Sequence, residues 1–250
     1  MEQTLDLDRG LELASFTHPP RSETADYQER RHSLQLHWSV PIAAVADRLP
    51  LGLELDAWAG QAVVTVAFAA VSPRRGSALP SWLAGERHEL ELRTYVRSVA
   101  GRGTYVLRRE TTSRVASWAS RAEGLAPAGL VRIDHERDAG VPTRYEAYLP
   151  CREPLFRVRA SCGADVDEVR PGTLESFVLR RRYAHFVIDG CLHRCALRTS
   201  SLRVGYGMAV VVLDRLPALA GLPPLEPLPH ACHALDGFTL AIGRRQAVAR

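Results

Sequence analysis

The sequence predicts a mainly β protein: an antiparallel sheet closed or folded on itself, with a few short helices at its ends. Three observations predict it. Most of the chain divides into short segments of strand character bounded by Gly, Pro and Asp turns. No strand–helix–strand alternation of a parallel sheet is present, and no internal repeat. The 250 residues, 46% of them hydrophobic, suffice for one large β unit with a sizeable core.

The elements follow in order. Residues 1–30 are polar, with THPPRSE in their middle, and read as an arm or edge segment. The main unit is expected over 31–215, followed by a Pro-rich segment, 216–250, with a short final strand. HSLQLHWSV (32–40) has strand character, and PIAAVADRLP (41–50) is a short helix between two prolines. LGLELDAWAGQAVVTVAFAAVSP reads as strand, turn and strand, and its second strand, about 61–71, is apolar on both faces and so buried on both. Residues 87–97 and 103–110 form a hairpin turning at AGRG. In 111–125 a helix is expected with Val115, Trp118, Ala119 and Ala122 on its apolar face, a Thr or Ser cap, and Gly124 at its end.

LVRIDHERD and TRYEAYLP read as strands joined by AGVP, and EPLFRVRASC as a further strand. PGTLESFVLRRR (171–182) is a short helix capped by Thr173, with Glu175 in its first turn and Leu174, Phe177 and Val178 on its apolar face. The Arg180–Arg182 run reads as its solvated end. YAHFVI and CLHRCAL form a hairpin around Asp189-Gly190. SLRVGYGMAVVVL continues the strand pattern.

Composition narrows the function classes. All 32 basic residues are Arg, and no Lys occurs. No side-chain amine is therefore present for a Schiff base, and every basic side chain is a permanent guanidinium cation. The net charge of +4 is interleaved with 28 acids, and no nucleic-acid partner is expected. No apolar run is long enough for a transmembrane helix, so no membrane partner is expected. The acidic first residues lack a secretory pattern, and five cysteines, an odd number, suit a reducing compartment, so a cytoplasmic location is expected.

In the strand 87–97, Glu89, Glu91, Arg93, Tyr95 and Arg97 share one face. Taken alone, such a face is most often solvated and laced with ion pairs. LELRTYVRSVAGRGTYVL, however, resembles the Arg-Thr-Tyr-Val strand of the YqjF-like proteins, an uncharacterised bacterial family related to acetoacetate decarboxylase. LPLGLELD and PGTLESFVLRRRYAHF are similar to two further elements of that family, and the resemblance covers about residues 32–205. It implies an acetoacetate-decarboxylase-like antiparallel barrel or double sheet with a polar interior cavity, into which Arg93 and Tyr95 point, with Glu91 near them. The family commonly has Asn where this chain has Glu91, and a carboxylate there brings its own partner for Arg93.

The resemblance does not carry the decarboxylase's chemistry with it. That reaction attacks a ketone with a Lys of lowered pKa, and the matching stretch here, RAEGLAPAGLV, holds no amine. The only amine, the α-amino group of Met1, lies on the polar arm. What remains is a guanidinium-lined site for a small anionic or carbonyl-containing ligand. Glu91, Tyr95 and His193 are the candidate catalytic residues, and Arg93, Arg97, Tyr105, Tyr183 and His185 the candidate ligand-binding residues. An imine-independent lyase, isomerase or cyclase fits that set. So does a non-catalytic binding or regulatory protein. No cofactor is expected, and a homo-oligomer stays open.

A third reading is a metal protein. Cys191, His193 and Cys195 share a strand face, and HACH adds His230, Cys232 and His233. Cys191 and Cys195 lie about 13 Å apart at ~3.3 Å per residue, too far for one zinc at ~2.3 Å per Zn–S bond. Neither segment has a CxxC knuckle, so small apolar cysteines in a β wall are the favoured reading and no metal ligand is assigned. His185, alternating with Tyr183 and Val187, reads by itself as a packing histidine.

Overall fold

A computed structural model describes residues 24–73, 85–122, 128–138, 141–200, 202–235 and 237–248. The expectations for residues 1–23 and for Gly124 lie outside these residues. The chain runs through β1 (Thr24–Val40), α1 (Ala43–Ala46), β2 (Glu54–Leu55), β3 (Ala62–Pro73), β4 (Arg87–Ser98), β5 (Gly101–Thr111) and α2 (Arg114–Ala122). It continues with β6 (Gly129–Leu130), β7 (Arg132–Asp138), β8 (Val141–Tyr148), β9 (Pro154–Glu168) and α3 (Leu174–Leu179). Then come β10 (Tyr183–Ile188), β11 (Cys191–Thr199), β12 (Arg203–Asp214), α4 (Leu216–Leu219), β13 (Ala231–Leu235), β14 (Phe238–Gly243) and β15 (Gln246–Ala247).

The predicted mainly β class is what the structure has. Around the ring the order is β14, β11, β10, β5, β4, β3, β1, and β14 closes it by pairing with the first half of β1. The second half of β1 pairs with β13, which leads out through β12 and β9 to β8 and β7. The length of β1 makes this fork possible, since one strand serves two partners in succession. The sheet therefore runs past the boundaries expected at 31 and 215: residues 24–30 close the barrel, and β13 and β14 are integral strands of it.

Two cores result. One lies outside the ring, where Leu34, Leu36, Trp38, Val64, Val66, Phe68, Leu90 and Leu92 pack against Tyr145, Phe156 and Val158 of the outer strands. The other plugs one end of the barrel and contains Val63, Tyr95, Val178, Val204, Leu235, Phe238 and Leu240. β3 is buried on both faces: Val64, Val66 and Phe68 enter the first core and Val63 the second, while Ala67 and Ala69 back the charged face of β4.

Local signals explain most boundaries. Asp189 and Gly190 take positive φ of 48° and 75°, as the turn between β10 and β11 requires. Thr173 caps α3, its Oγ1 accepting from the Ser176 N–H at 3.3 Å. The β4–β5 hairpin turns earlier than AGRG suggests, with Ser98 already paired to Gly101. In α2 the phase differs from the expected one. Ser117 takes the inward position, donating its hydroxyl to the Ala128 carbonyl at 2.7 Å, and Trp118 is exposed.

Gly207 sits between Cys162 and Cys232 of the flanking strands. The two thiols meet over it at 3.8 Å. A Cβ there would stand 2.4 Å from the Ser161 carbonyl oxygen and 2.6 Å from Cys162 Sγ. Gly207→Ala is expected to destabilise the fold by about 1–3 kcal/mol, read as a lower urea midpoint. An unchanged midpoint would refute this three-strand register.

Candidate functional site

The face of β4 that carries Glu89, Glu91, Arg93 and Tyr95 points into the barrel. Glu89 and Tyr95 are buried at 1% and 0% exposure, and Glu91 at 8%. β3 makes the room: Ala69, Ala67 and Thr65 stand opposite Glu89, Glu91 and Arg93. Glu89 lies 2.8 Å from Arg109, 2.9 Å from Arg87 and 3.4 Å from Arg30. Burial pushes its carboxyl up, but the guanidinium groups of Arg109, Arg30 and Arg87 outweigh this and hold it at about 2. Glu91 does not serve Arg93 alone. It lies 3.8 Å from each of Arg30, Arg93 and Arg109. Arg93 also donates Nη2 to Gln35 Oε1 at 2.6 Å. Four guanidinium groups thus face two carboxylates.

Beyond Arg93 a hydrogen-bonded chain crosses four strands and ends on α3. The Tyr95 hydroxyl lies 2.7 Å from Thr65 Oγ1, which lies 2.7 Å from His37 Nδ1. His37 Nε2 lies 3.0 Å from His233 Nδ1, and His233 Nε2 lies 3.3 Å from Glu175 Oε1. Burial, then His233 and Arg93, place His37 well below its ordinary value, and burial lowers His233 as well, so both rings are neutral at pH 7. Burial pushes Glu175 up, but the hydrogen bonds it receives from Thr173, its own backbone and His233 prevail and lower it.

These states fix every proton. Ionised Glu175 only accepts, so His233 donates from Nε2 and accepts at Nδ1. His37 then donates from Nε2 and accepts at Nδ1 from Thr65, whose oxygen accepts from Tyr95. All donors point from the buried phenol toward Glu175, whose side chain is 15% exposed. Exposed Tyr206 stands edge-on to His233 at that end, 5.5 Å between ring centroids.

The other expected site residues divide by face. Arg97 is half exposed and lies 3.6 Å from Asp56. Tyr105, Tyr183 and His185 lie on the opposite face of the wall from Tyr95, a correction to their expected place in the ligand set. Tyr105 stands opposite Thr94, and in the parallel pairing of β10 with β5 His185 stands beside Tyr105. His185 packs over Gly103 and bonds Ser98 Oγ through Nε2 at 3.0 Å, with its pKa lowered by burial, as a packing histidine would. Arg194 covers the Tyr183 ring at 5.0 Å. His193 is on the inner face but stacks on Phe186, 6.1 Å between centroids, in strands separated from β4 by β5.

The Cys/His metal reading does not assemble. His233 belongs to the hydrogen-bonded chain, Cys232 turns to Cys162, and no three metal-binding side chains converge among the described residues. Among them, too, no helix is long and apolar enough to cross a membrane. Sequence reasoning missed His37, Thr65 and Glu175 as site residues, and considered His233 only under the metal reading. His37 and Thr65 alternate with the apolar residues of their strands, a signal visible in HSLQLHW and VVTVAF only once both faces are known to be covered.

Comparison with known proteins agrees with this architecture. The profile of DUF2071, described as an uncharacterized conserved protein, matches residues 27–237, and the chain belongs to that family. No curated protein matches. The enduracididine biosynthesis enzyme MppR, complexed with the condensation product of pyruvate and imidazole 4-carboxaldehyde, superposes with TM-score 0.65 at 14% identity, over 94% of this chain and 92% of that one. An acetoacetate decarboxylase-like enzyme from Sphingomonas wittichii RW1 gives 0.62 at 14% identity, over 94% and 100%. Acetoacetate decarboxylase from Legionella pneumophila gives 0.62 at 12% identity, over 100% and 98%. At these identities the likeness establishes an acetoacetate-decarboxylase-like fold.

The interior makes the fold acid-sensitive in two stages. His37, His233 and His185 are lowered in the native state, so below the ordinary histidine value of 6.5 the unfolded chain binds more protons and stability falls. Glu89 adds a second loss from 4.5 down to about 2. Glu89→Gln is expected to cost about 3–5 kcal/mol at pH 7 and to flatten the urea-midpoint profile below pH 4.5. A variant whose acid limb matches the wild type would contradict this placement.

Proposed function

We propose that this protein binds a small carboxylate- or dicarbonyl-bearing ligand inside its barrel, against Arg93 and Tyr95, and moves a proton on it without forming an imine. The single observation that carries this reading is the continuous chain of contacts from Tyr95 through Thr65, His37 and His233 to Glu175, which the charge states of its members order in one direction. What supports a functional role is that the chain links the buried phenol, next to Arg93 on the same strand face, to a carboxylate that is partly exposed. In the forward sense Tyr95 gives up its proton along the chain and its oxygen becomes the base. In the reverse sense Tyr95 returns a proton to the ligand. The guanidinium of Arg93 holds the ligand's developing oxyanion, a role that its permanent charge suits and that makes it a poor base. That chemistry fits a lyase, isomerase or cyclase. The superposed enzyme MppR is complexed with a pyruvate condensation product in one structure and with pyruvate in another, which supports 2-oxo acids as the first ligands to try.

Absence of Lys from the chain sets this reading apart from Schiff-base catalysis. Treatment with borohydride in the presence of pyruvate is expected to leave the protein's mass unchanged, and a covalent adduct would overturn the imine-free reading.

The second reading, a non-catalytic binding or regulatory protein, draws support from the near-complete burial of Tyr95, Thr65, His37 and His233. Hydrogen–deuterium exchange at the pyruvate methyl, followed by proton NMR in D2O, separates the two. Wild type is expected to catalyse exchange, and Tyr95→Phe to slow it by roughly 100-fold or more. Because His37 and His233 must stay neutral for the chain to run toward Glu175, the rate is expected to fall on an acid limb below 6.5. Binding of pyruvate without exchange in the wild type would favour the non-catalytic protein.

A further inference from the structure

The middle of the Arg180–Arg182 run is not a solvated helix end. The Arg181 side chain is 4% exposed. Its guanidinium lies over the Phe177 ring at 3.9 Å and the Tyr95 ring at 4.7 Å. Nη1 donates to Asp56 Oδ2 at 2.5 Å. Nε and Nη2, the two nitrogens of the group's other edge, are buried and have no hydrogen-bond partner among the described residues. That edge is the fork with which a guanidinium binds a carboxylate through two parallel hydrogen bonds. Leaving such donors dry and unpaired costs free energy; the aromatic rings stabilise the cation through their faces but accept no hydrogen bond from its in-plane N–H groups.

Asp56 does not balance the charge. Besides Arg181 it has Arg102 at 3.5 Å and Arg97 at 3.6 Å, so three guanidinium groups share one carboxylate. The side chains of Arg97 and Arg102 are 53% and 57% exposed and give this end of the barrel a positive rim. Arg181 follows the C-cap of α3, a helix of six residues.

We infer that Arg181 is the carboxylate-docking residue of the interior site: its Nε–Nη2 edge grips the carboxylate of a small oxo acid bidentately, beside Tyr95, with Asp56 holding the guanidinium from the opposite side. This rests on the reading of the interior as a small-ligand site, and deepens it by assigning the ligand's carboxylate to Arg181 and its reacting carbonyl to Arg93 and Tyr95. Anions are drawn to the rim by Arg97 and Arg102, and the fork selects the planar carboxylate.

The test is calorimetric titration with pyruvate, acetoacetate and malonate, with methyl pyruvate as the compound lacking the carboxylate, on wild type, Arg181→Lys, Arg181→Met and Arg93→Gln. Arg181→Lys keeps a cation for Asp56 and removes the fork, so it remains informative should Arg181→Met fail to fold, which unliganded thermal unfolding reveals. Expected is carboxylate binding by wild type, weakened roughly 30-fold or more in Arg181→Lys, and no binding of methyl pyruvate by any form. Wild-type affinity in folded Arg181→Lys, with binding lost in Arg93→Gln, overturns the assignment to Arg181 and leaves the small-ligand reading standing. Equal affinity for pyruvate and its methyl ester overturns the assignment as well. Failure of all three carboxylates to bind wild type overturns both.

Discussion

Closure of the ring by β14 on the first half of β1 takes the charged face of β4 out of water, and the rest of the interior follows from that constraint. A carboxylate cannot be sealed among apolar groups without partners. Glu89 accordingly has three guanidinium groups around it, drawn from β1, β4 and β5. β4 and β5 pair directly, and β1 is separated from β4 only by β3, whose small Ala67 and Ala69 let the long side chains meet across it. Arginine suits this arrangement better than lysine would, because its planar group is weakly hydrated and divides its donors among several acceptors. Arg30 and Arg109 each reach both Glu89 and Glu91 in this way.

Burial sets the protonation of the histidine chain. At His37 the neighbouring His233 and then Arg93 disfavour the cationic form further, and at His233 burial outweighs the pull of Glu175. At the far end Glu175 is ionised, capped into place by the first turn of α3. Permanent cations at one end and a carboxylate at the other leave a single consistent order of donors between them. The order is therefore a product of long-range electrostatics as much as of the individual hydrogen bonds. It joins residues from β1, β3, β4, β13 and α3, elements far apart in sequence.

Local chemistry made much of the fold legible. Asp189-Gly190 announces its hairpin, Thr173 its helix cap, and the doubly apolar 61–71 stretch its place between two cores. The closure was not legible, because pairing of residues 24–30 with the last strands depends on contacts between the ends of the chain. For the site, alternation alone divides β4 correctly into two faces but cannot say which is inside, since a charged face is ordinarily the wet one; the resemblance supplied that. The face of Tyr105, Tyr183 and His185 was misjudged because the bulge after Leu92 resets alternation on β5, and because the parallel pairing of β10 follows from the ring and not from any local turn. Arg181 was hidden by its neighbours: a run of three arginines after a helix reads as solvent-facing, and only the convergence of Asp56, Phe177 and Tyr95 singles out the middle one.

Glu91 bears most directly on what such an interior can hold. Beside a lone arginine it would cancel the charge and repel an anion. Here it lies equally far, 3.8 Å, from Arg30, Arg93 and Arg109, none of which it engages closely. Shared three ways, it orients the guanidinium groups without neutralising them, and four cations still face two anions. Asp56 repeats the pattern at the other end of Tyr95, one carboxylate among three arginines. Both ends of the Tyr95 neighbourhood therefore carry more cation than anion. A folded protein tolerates that excess most readily where a negative group arrives to share it, and this is the electrostatic basis for expecting an anionic ligand between them.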